Sequence, residues 1–320
     1  MNNFSGFAES FLQALSAGIL LGGVYALMCV GLGMIFGVMK VINFAQGEFV
    51  MLGMYGTLFA YSAFSLDSIF GSLIGPAVAA LLSGLVLYVL GALIQRFLLS
   101  RFTGEKATQI TGDSHFPQLI VTLGLALIIS NGGLMLFGST ARSVRTEYSS
   151  VAWELGPMLD AGISIFINKA RFLSLVLASL IGVALFFFVT RSSMGRKLRA
   201  AADNPIAATY MGIDVQKAFM VAFGLGCAVT GTAGGLLASY LPFQPYTGAE
   251  FVTVMYAGVV LGGLGSVAGA FWGGLAIGLV QQLSVLVLPT QLQNAAIFTV
   301  FLLVILFRPQ GFFGRNVERT

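Results

Sequence analysis

Residues able to do chemistry are few in this chain, and they lie far apart. Glu48, in VINFAQGEF (41–49), is the carboxylate placed in an apolar run, and Asn43 and Gln46 stand beside it. A charge at mid-bilayer costs about 2.5–3.5 kcal/mol on insertion scales, so an acid of this kind is either functional or placed where its charge is tolerated. Its position at the start of a span, close to the inner surface, allows two readings. It is an anchor favoured by the positive end of the helix dipole, or, with Asn43 and Gln46, it forms a cytoplasmic gate or solute exit. Gln281 and Gln282 lie deep in another apolar run, where an amide could face a polar solute. In the same run Gly265, Gly269 and Gly273 recur every four residues. That spacing suits a face for close helix packing, or a smooth wall of a translocation path.

Other chemistries lack their parts. No Lys is followed by Ser or Thr, which excludes the phosphate-binding G-x-x-x-x-G-K-[ST] loop, and no H-E-x-x-H or G-x-S-x-G occurs. His115 is the single histidine and has no Cys or second His near it, so a metal site is not expected. Cys29 and Cys227 both sit in apolar runs and read as small core residues. No catalytic group and no cofactor is expected, and nothing suggests nucleic acid: the net charge of +4 has another explanation, below.

The elements that position these residues are membrane spans. Of 320 residues, 57% are hydrophobic and 9% charged, and stretches such as LSLVLASLIGVALFFFV (173–189) carry no charge at all. Runs of about 20 apolar residues match the hydrocarbon thickness of a bilayer, whereas a β-barrel would show alternating segments of about 10. The chain is therefore expected to be all-α, a single polytopic membrane domain over 1–320. Spans are predicted near 11–38, 44–62, 73–95, 117–137, 171–190, 218–240, 249–263, 266–288 and 293–307. The first could be two pieces and 249–263 a half-span, so the expected number is eight to ten. The 41 glycines suit closely packed spans. With the N-terminus outside, the inside receives Lys40, Arg96, Arg101, Lys106, Arg191, Arg196, Lys197, Arg199, Lys217, Arg308, Arg315 and Arg319. The outside receives only Arg142, Arg145, Lys169 and Arg171. Cytoplasmic loops carry the excess of Lys and Arg, which sets this orientation and places the C-terminus in the cytoplasm. The N-terminus has no basic residue before Lys40, so it does not read as a secretory signal. The longest external loop, 138–170, holds strand-like pieces, Trp153 and Tyr148; it is either a connector at headgroup level or a docking surface.

The cytoplasmic loop 191–217 holds the most informative segment. In RAAADNPIAATYMGIDVQKAF (199–219), Asn204 is a favoured N-cap, Pro205 suits the first helical position and Gly212 suits a C-terminal cap. The helix between them, 205–211, has about two turns, too few to be stable alone in water. Ile206 and Tyr210 share one face. That face rests either on lipid or in a groove of a cytoplasmic protein.

This segment resembles the coupling loop of ATP-binding-cassette importer permeases, whose core reads E-A-A-x-x-x-G. Ala207, Ala208 and Gly212 match, and Ile206 replaces the usual Glu. VINFAQGEFVMLGMY (41–55), MGRKLRAAADNPIAATYMGI (194–213), VVLGGLGSVAGAFWGG (259–274) and RPQGFFG (308–314) are similar to the branched-chain amino acid permeases of the LivH type, a likeness that runs from about 11 to 314. The resemblance implies a bacterial inner-membrane importer subunit for leucine, isoleucine and valine or a similar small solute. It would work with two cytoplasmic ATPases that bind the ATP, a second, LivM-like permease and a periplasmic solute-binding protein. It also implies that Ala207, Ala208 and Gly212 form the coupling core, that Asn204 and Pro205 cap it, and that Arg196 and Arg199 flank it against the ATPase or lipid headgroups. Urea or short amides carried by the same mechanism, and a stand-alone ion-coupled carrier, are the competing expectations.

Overall fold

The computed structural model describes residues 2–101, 116–158, 163–308 and 310–314. His115, Lys106, Arg315 and Arg319 lie outside the described residues. Among the described residues eleven α-helices run in order: α1 (Asn2–Met39), α2 (Gln46–Ala63), α3 (Leu66–Phe97), α4 (Phe116–Phe137), α5 (Lys169–Arg191), α6 (Ser193–Asp203), α7 (Pro205–Tyr210), α8 (Val215–Leu237), α9 (Thr247–Gly262), α10 (Val267–Ser284) and α11 (Gln293–Phe307). One two-stranded antiparallel hairpin, β1 (Ala152–Met158) with β2 (Ile163–Asn168), lies in the 138–170 loop.

Seven of the described helices are long and apolar enough to cross a membrane: α1, α3, α4, α5, α8, α10 and the last, which with its preceding turn spans Thr290–Phe307. α2, of 18 residues, and the shorter apolar α9 fall on the other two ranges expected as spans, 44–62 and 249–263, but neither is among these seven. The first run is one continuous helix, not two pieces. α3 carries a break at Gly71, whose φ of +74° an L side chain rarely adopts.

The loops sort to two sides. On the side expected to be external, Val144 N–H donates to Ala238 O at 2.9 Å, and Arg142 pairs with Phe243. The Gln13 side chain brackets Phe166 of β2, accepting from its N–H and donating to its carbonyl, both at 2.9 Å. On the opposite side the tail folds back under α9, with Phe312 and Phe313 N–H donating to Leu261 and Gly262 carbonyls. These N–H groups satisfy carbonyls that a helix end leaves free.

The core is built on α1 and α8, the most buried of the long helices. Helices in lipid gain no hydrophobic drive from each other, so backbone approach through small residues must hold them. α2 meets α8 through Gly53 on Gly231, and α9 meets α10 through Gly258 on Gly273 and Gly262 on Gly269; at each pair a Cβ would run into the facing backbone. Gly265 does not belong to that face. It sits in the turn before α10 at φ +89°, where Ser266 caps the helix by accepting from Gly269 N–H at 3.0 Å, and it approaches Gly37 of α1 instead. The four-residue spacing continued past the true helix start.

Gly273→Val is expected to insert but to destabilise the detergent-solubilised protein by about 1–3 kcal/mol, the usual cost of overpacking. Gly124→Val, at a site with nothing within 4 Å, leaves the thermal midpoint near that of the parent.

Candidate functional site

The first cluster forms where the chain turns back after α1. Lys40 adopts φ +54°, an unusual value for a non-glycine residue, and sends residues 41–45 back into the bundle. Phe44 N–H reaches Thr122 Oγ1 of α4 at 3.4 Å, and the Phe44 ring lies 5.8 Å from Tyr256 of α9. Only then does α2 start. Gln46 Nε2 donates to Thr230 Oγ1 at 2.6 Å and to Gly226 O at 3.3 Å. Thr230 is 15 residues into α8 (230 minus 215), roughly 22 Å from its cytoplasmic end at 1.5 Å per residue.

The start of α2 therefore lies within the bilayer, not at its inner surface, and so does Glu48. Hydropathy marks how apolar a run is and not the depth at which it begins. Asn43 and Gln46 also differ from an open gate lining. Asn43 Nδ2 donates to Gln46 Oε1 at 2.9 Å, and Asn43 Oδ1 accepts from Ala45 N–H at 3.1 Å. Both residues are fully buried, and their amides are engaged by the protein itself. In this conformation they pin the re-entrant segment to α8.

Glu48 is 4% exposed, and its Oε2 has no hydrogen-bond partner among the described residues. It lies against Gly248, near the first residue of α9, while Gly47 packs on the Gly248 carbonyl and on Val252. Two helix starts thus meet at one carboxylate inside the membrane, an arrangement in which both positive dipole ends offset its charge. Gln281 stands apart from this cluster. It is half-buried near the external end of α10, in hydrogen-bonding reach of the buried Tyr25 hydroxyl. Thr230 was missed in the sequence; its signal was a pair of threonines in the otherwise small, apolar TGTAGG (230–235).

The second cluster is the loop 191–217, expected on the cytoplasmic side. Asn204 Oδ1 accepts from Ala207 N–H at 2.9 Å, Pro205 opens α7, and Gly212 takes φ +77° just past its end. Ala208 is buried, whereas Ala207, Ile206, Tyr210 and Met211 face out, the last two more than four-fifths exposed. α7 is preceded by a further helix, α6, which the sequence did not reveal as a separate element. Ser192 ends α5 and caps α6 by accepting from Gly195 N–H at 2.8 Å, and Asn204 ends α6 and caps α7. Asp214 then caps α8 through Lys217 N–H at 2.9 Å. Arg199 points back along this chain of helices, donating from Nη2 to Thr190 O at 3.2 Å near the C-terminus of α5. There its positive charge also faces the negative end of the helix dipole.

Residues 14–307 match the model of a family described as the permease component of branched-chain amino acid transport systems. The chain belongs to this family. It is 29% identical to the high-affinity branched-chain amino acid transport system permease protein LivH of Salmonella typhimurium, over 97% of this chain and 98% of that one. BraD of Pseudomonas aeruginosa, a permease protein of the same description, is 28% identical with the same coverage. The D-allose transport system permease protein AlsC of Escherichia coli is 26% identical over 73% of this chain and 71% of its own length. No solved structure matches the chain significantly.

Thr230→Val leaves the Gln46 amide short of a partner and is expected to lower stability by about 1–3 kcal/mol. In a double-mutant cycle with Gln46→Leu, chemical unfolding in micelles should show coupling of about 0.5–3 kcal/mol. Additive losses would mean that the two side chains do not act as a unit.

Proposed function

We propose that this chain is the membrane-spanning permease subunit of an ATP-binding-cassette importer in a bacterial inner membrane, carrying leucine, isoleucine and valine from periplasm to cytoplasm. Family membership implies cytoplasmic ATPases and an external binding protein as partners. In our reading there are two ATPases, which bind and hydrolyse the ATP, and a second, LivM-like permease faces this one.

The observation that carries the reading is the capped, outward-facing α7. A helix of six residues would not persist alone in water. Here it is held by caps at both ends while Ile206, Tyr210 and Met211 remain exposed on the basic, cytoplasmic side. An apolar face offered to water and backed by a small buried Ala208 suits a groove in a soluble partner. Closure of the ATPase pair would push α7. The shared caps at Ser192 and Asn204 leave no slack linker, so the push would reach α5 through α6, and α8 through Asp214. Arg199 would stiffen the α5–α6 corner rather than touch the ATPase. In the membrane, the glycine contacts are the surfaces on which spans would slide. Glu48 and the pinned Asn43–Gln46 pair lie where the re-entrant segment would have to move for solute to pass.

Branched-chain amino acids are favoured as cargo by the near full-length likeness to LivH and BraD. Likeness to a sugar permease over a shorter stretch supports a scaffold whose selectivity rests largely on the binding protein.

The deciding measurement is ATP hydrolysis by the reconstituted complex. Binding protein loaded with leucine is expected to stimulate it several-fold, and binding protein offered urea or short amides is not. Solute flux through vesicles holding this chain without ATPases would overturn the proposal in favour of an ion-coupled carrier. Gly212→Val, which forces a β-branched residue to positive φ, is expected to lower ATP-driven uptake at least tenfold with normal membrane insertion.

A further inference from the structure

Beside the coupling segment, a cavity of about 340 Å³ opens between the cytoplasmic ends of α3 and α8. Its polar lining is Gln95, Arg96, Ser100, Asp214, Gln216 and Lys217. Two cations therefore face one carboxylate, one oxygen of which caps α8 by accepting from Lys217 N–H, and the lining keeps a net positive charge. The Arg96 guanidinium and the Lys217 ammonium, with the Gln216 amide beside them, are donors that a phosphate oxygen can accept from, while the Ser100 hydroxyl already donates to Arg96 O at 2.6 Å.

The position of the cavity narrows the source of the phosphate. Arg96 and Phe97 end the long apolar α3, and the Arg96 guanidinium lies 5.7 Å over the Phe97 ring. Phe97 is 66% exposed, and Leu93 and Leu98 are exposed beside it, so an apolar, lipid-facing wall runs from the rim of the cavity into the bilayer. Arg with its stem on apolar surface and its head at the boundary marks headgroup depth. Met220 extends the apolar lining on the α8 side. A soluble anion would use the cations alone, whereas a phospholipid would use the cations and this wall together. Basic pockets between spans on the cytoplasmic side suit anionic headgroups.

We infer that this cavity is a binding site for the phosphate headgroup of an anionic inner-leaflet phospholipid. Asp214 lies two residues past Gly212, and Ile213 N–H is bonded to Ala208 O at 3.0 Å. A headgroup held by Arg96 and Lys217 therefore braces α3 against the segment that returns from α7 to α8. The lipid acts on the efficiency with which movement of α7 reaches the spans.

The test uses the full complex in nanodiscs of phosphatidylcholine containing graded phosphatidylglycerol, with retained lipids counted by native mass spectrometry. The parent should keep one phosphatidylglycerol per chain that the Arg96→Gln/Lys217→Gln variant releases. Loss of two basic contacts should weaken retention roughly thirtyfold, at about 1 kcal/mol for each. Gln216→Lys, which adds a cation to the same rim, should strengthen retention, an effect that misfolding cannot imitate. ATPase activity in pure phosphatidylcholine should be equal in parent and double variant, and only the parent should be stimulated by phosphatidylglycerol. Equal retention by all three proteins overturns the site. Displacement of the retained lipid by millimolar inorganic phosphate assigns the cavity to a free anion and overturns the lipid. Burial of Gln216 under the ATPase, seen by cysteine cross-linking at that position, overturns it as a protein contact.

Discussion

Inside hydrocarbon a backbone polar group must find its partner within the protein, and this constraint shapes the arrangement wherever a helix is broken. It is hardest to meet where a helix is broken at depth, because the break frees groups that water cannot reach. The segment 40–45 is such a break, and Asn43, Gln46 and Thr230 are its solution: side-chain amides and a hydroxyl replace the missing helical bonds and fix the segment to α8. Irregular backbone at membrane depth is tolerated only where it is buried in protein or lines a cavity. Its placement between α4, α8 and α9, the interior of the bundle, follows from that rule.

A second constraint concerns stiffness. Spans that must move against each other need interfaces that permit sliding, while the element that drives them must not yield. Glycine-on-glycine contacts, such as Gly258 on Gly273, bring backbones together without interlocking side chains. The cytoplasmic helices are built the opposite way. Ser192 and Asn204 each end one helix and start the next, so α5, α6 and α7 are joined at corners whose geometry is set by hydrogen bonds. In the proposed transport cycle, compliance would lie in the membrane and rigidity outside it.

What could be read from the sequence follows from which physical signals are local. Hydropathy located the seven described helices that are long and apolar enough to cross a membrane, and the caps of α7 were legible because Asn204, Pro205 and Gly212 each act on their immediate neighbours. The depth of Glu48 was not legible. It depends on the turn at Lys40, where a lysine takes a positive φ that would ordinarily announce itself through glycine. Gly265 misled in the complementary way: its spacing matched a helix face, while its backbone conformation placed it in the turn. α6 was hidden for a third reason. Its N-cap is one of two adjacent serines, and nothing local distinguishes Ser192, which caps, from Ser193, which begins the helix.

Under the proposed function, the re-entrant segment and α7 would belong to one mechanical circuit. α7 reaches α8 through the Asp214 cap, and α8 carries Gly226 and Thr230, the two acceptors that hold Gln46. A displacement at the cytoplasmic surface would thus be delivered, along α8, to the hydrogen bonds that hold the break. Glu48 sits one residue past the Gly47–Gly248 contact and shares the fate of that contact: if α2 moves with α8, its carboxylate leaves the start of α9 and loses one of the two dipoles that offset its charge. An uncompensated acid within the bilayer raises the energy of the open arrangement. Under the proposed function the closed arrangement would be the resting state, and the work of opening would come from outside the membrane, as coupling to an ATPase would provide.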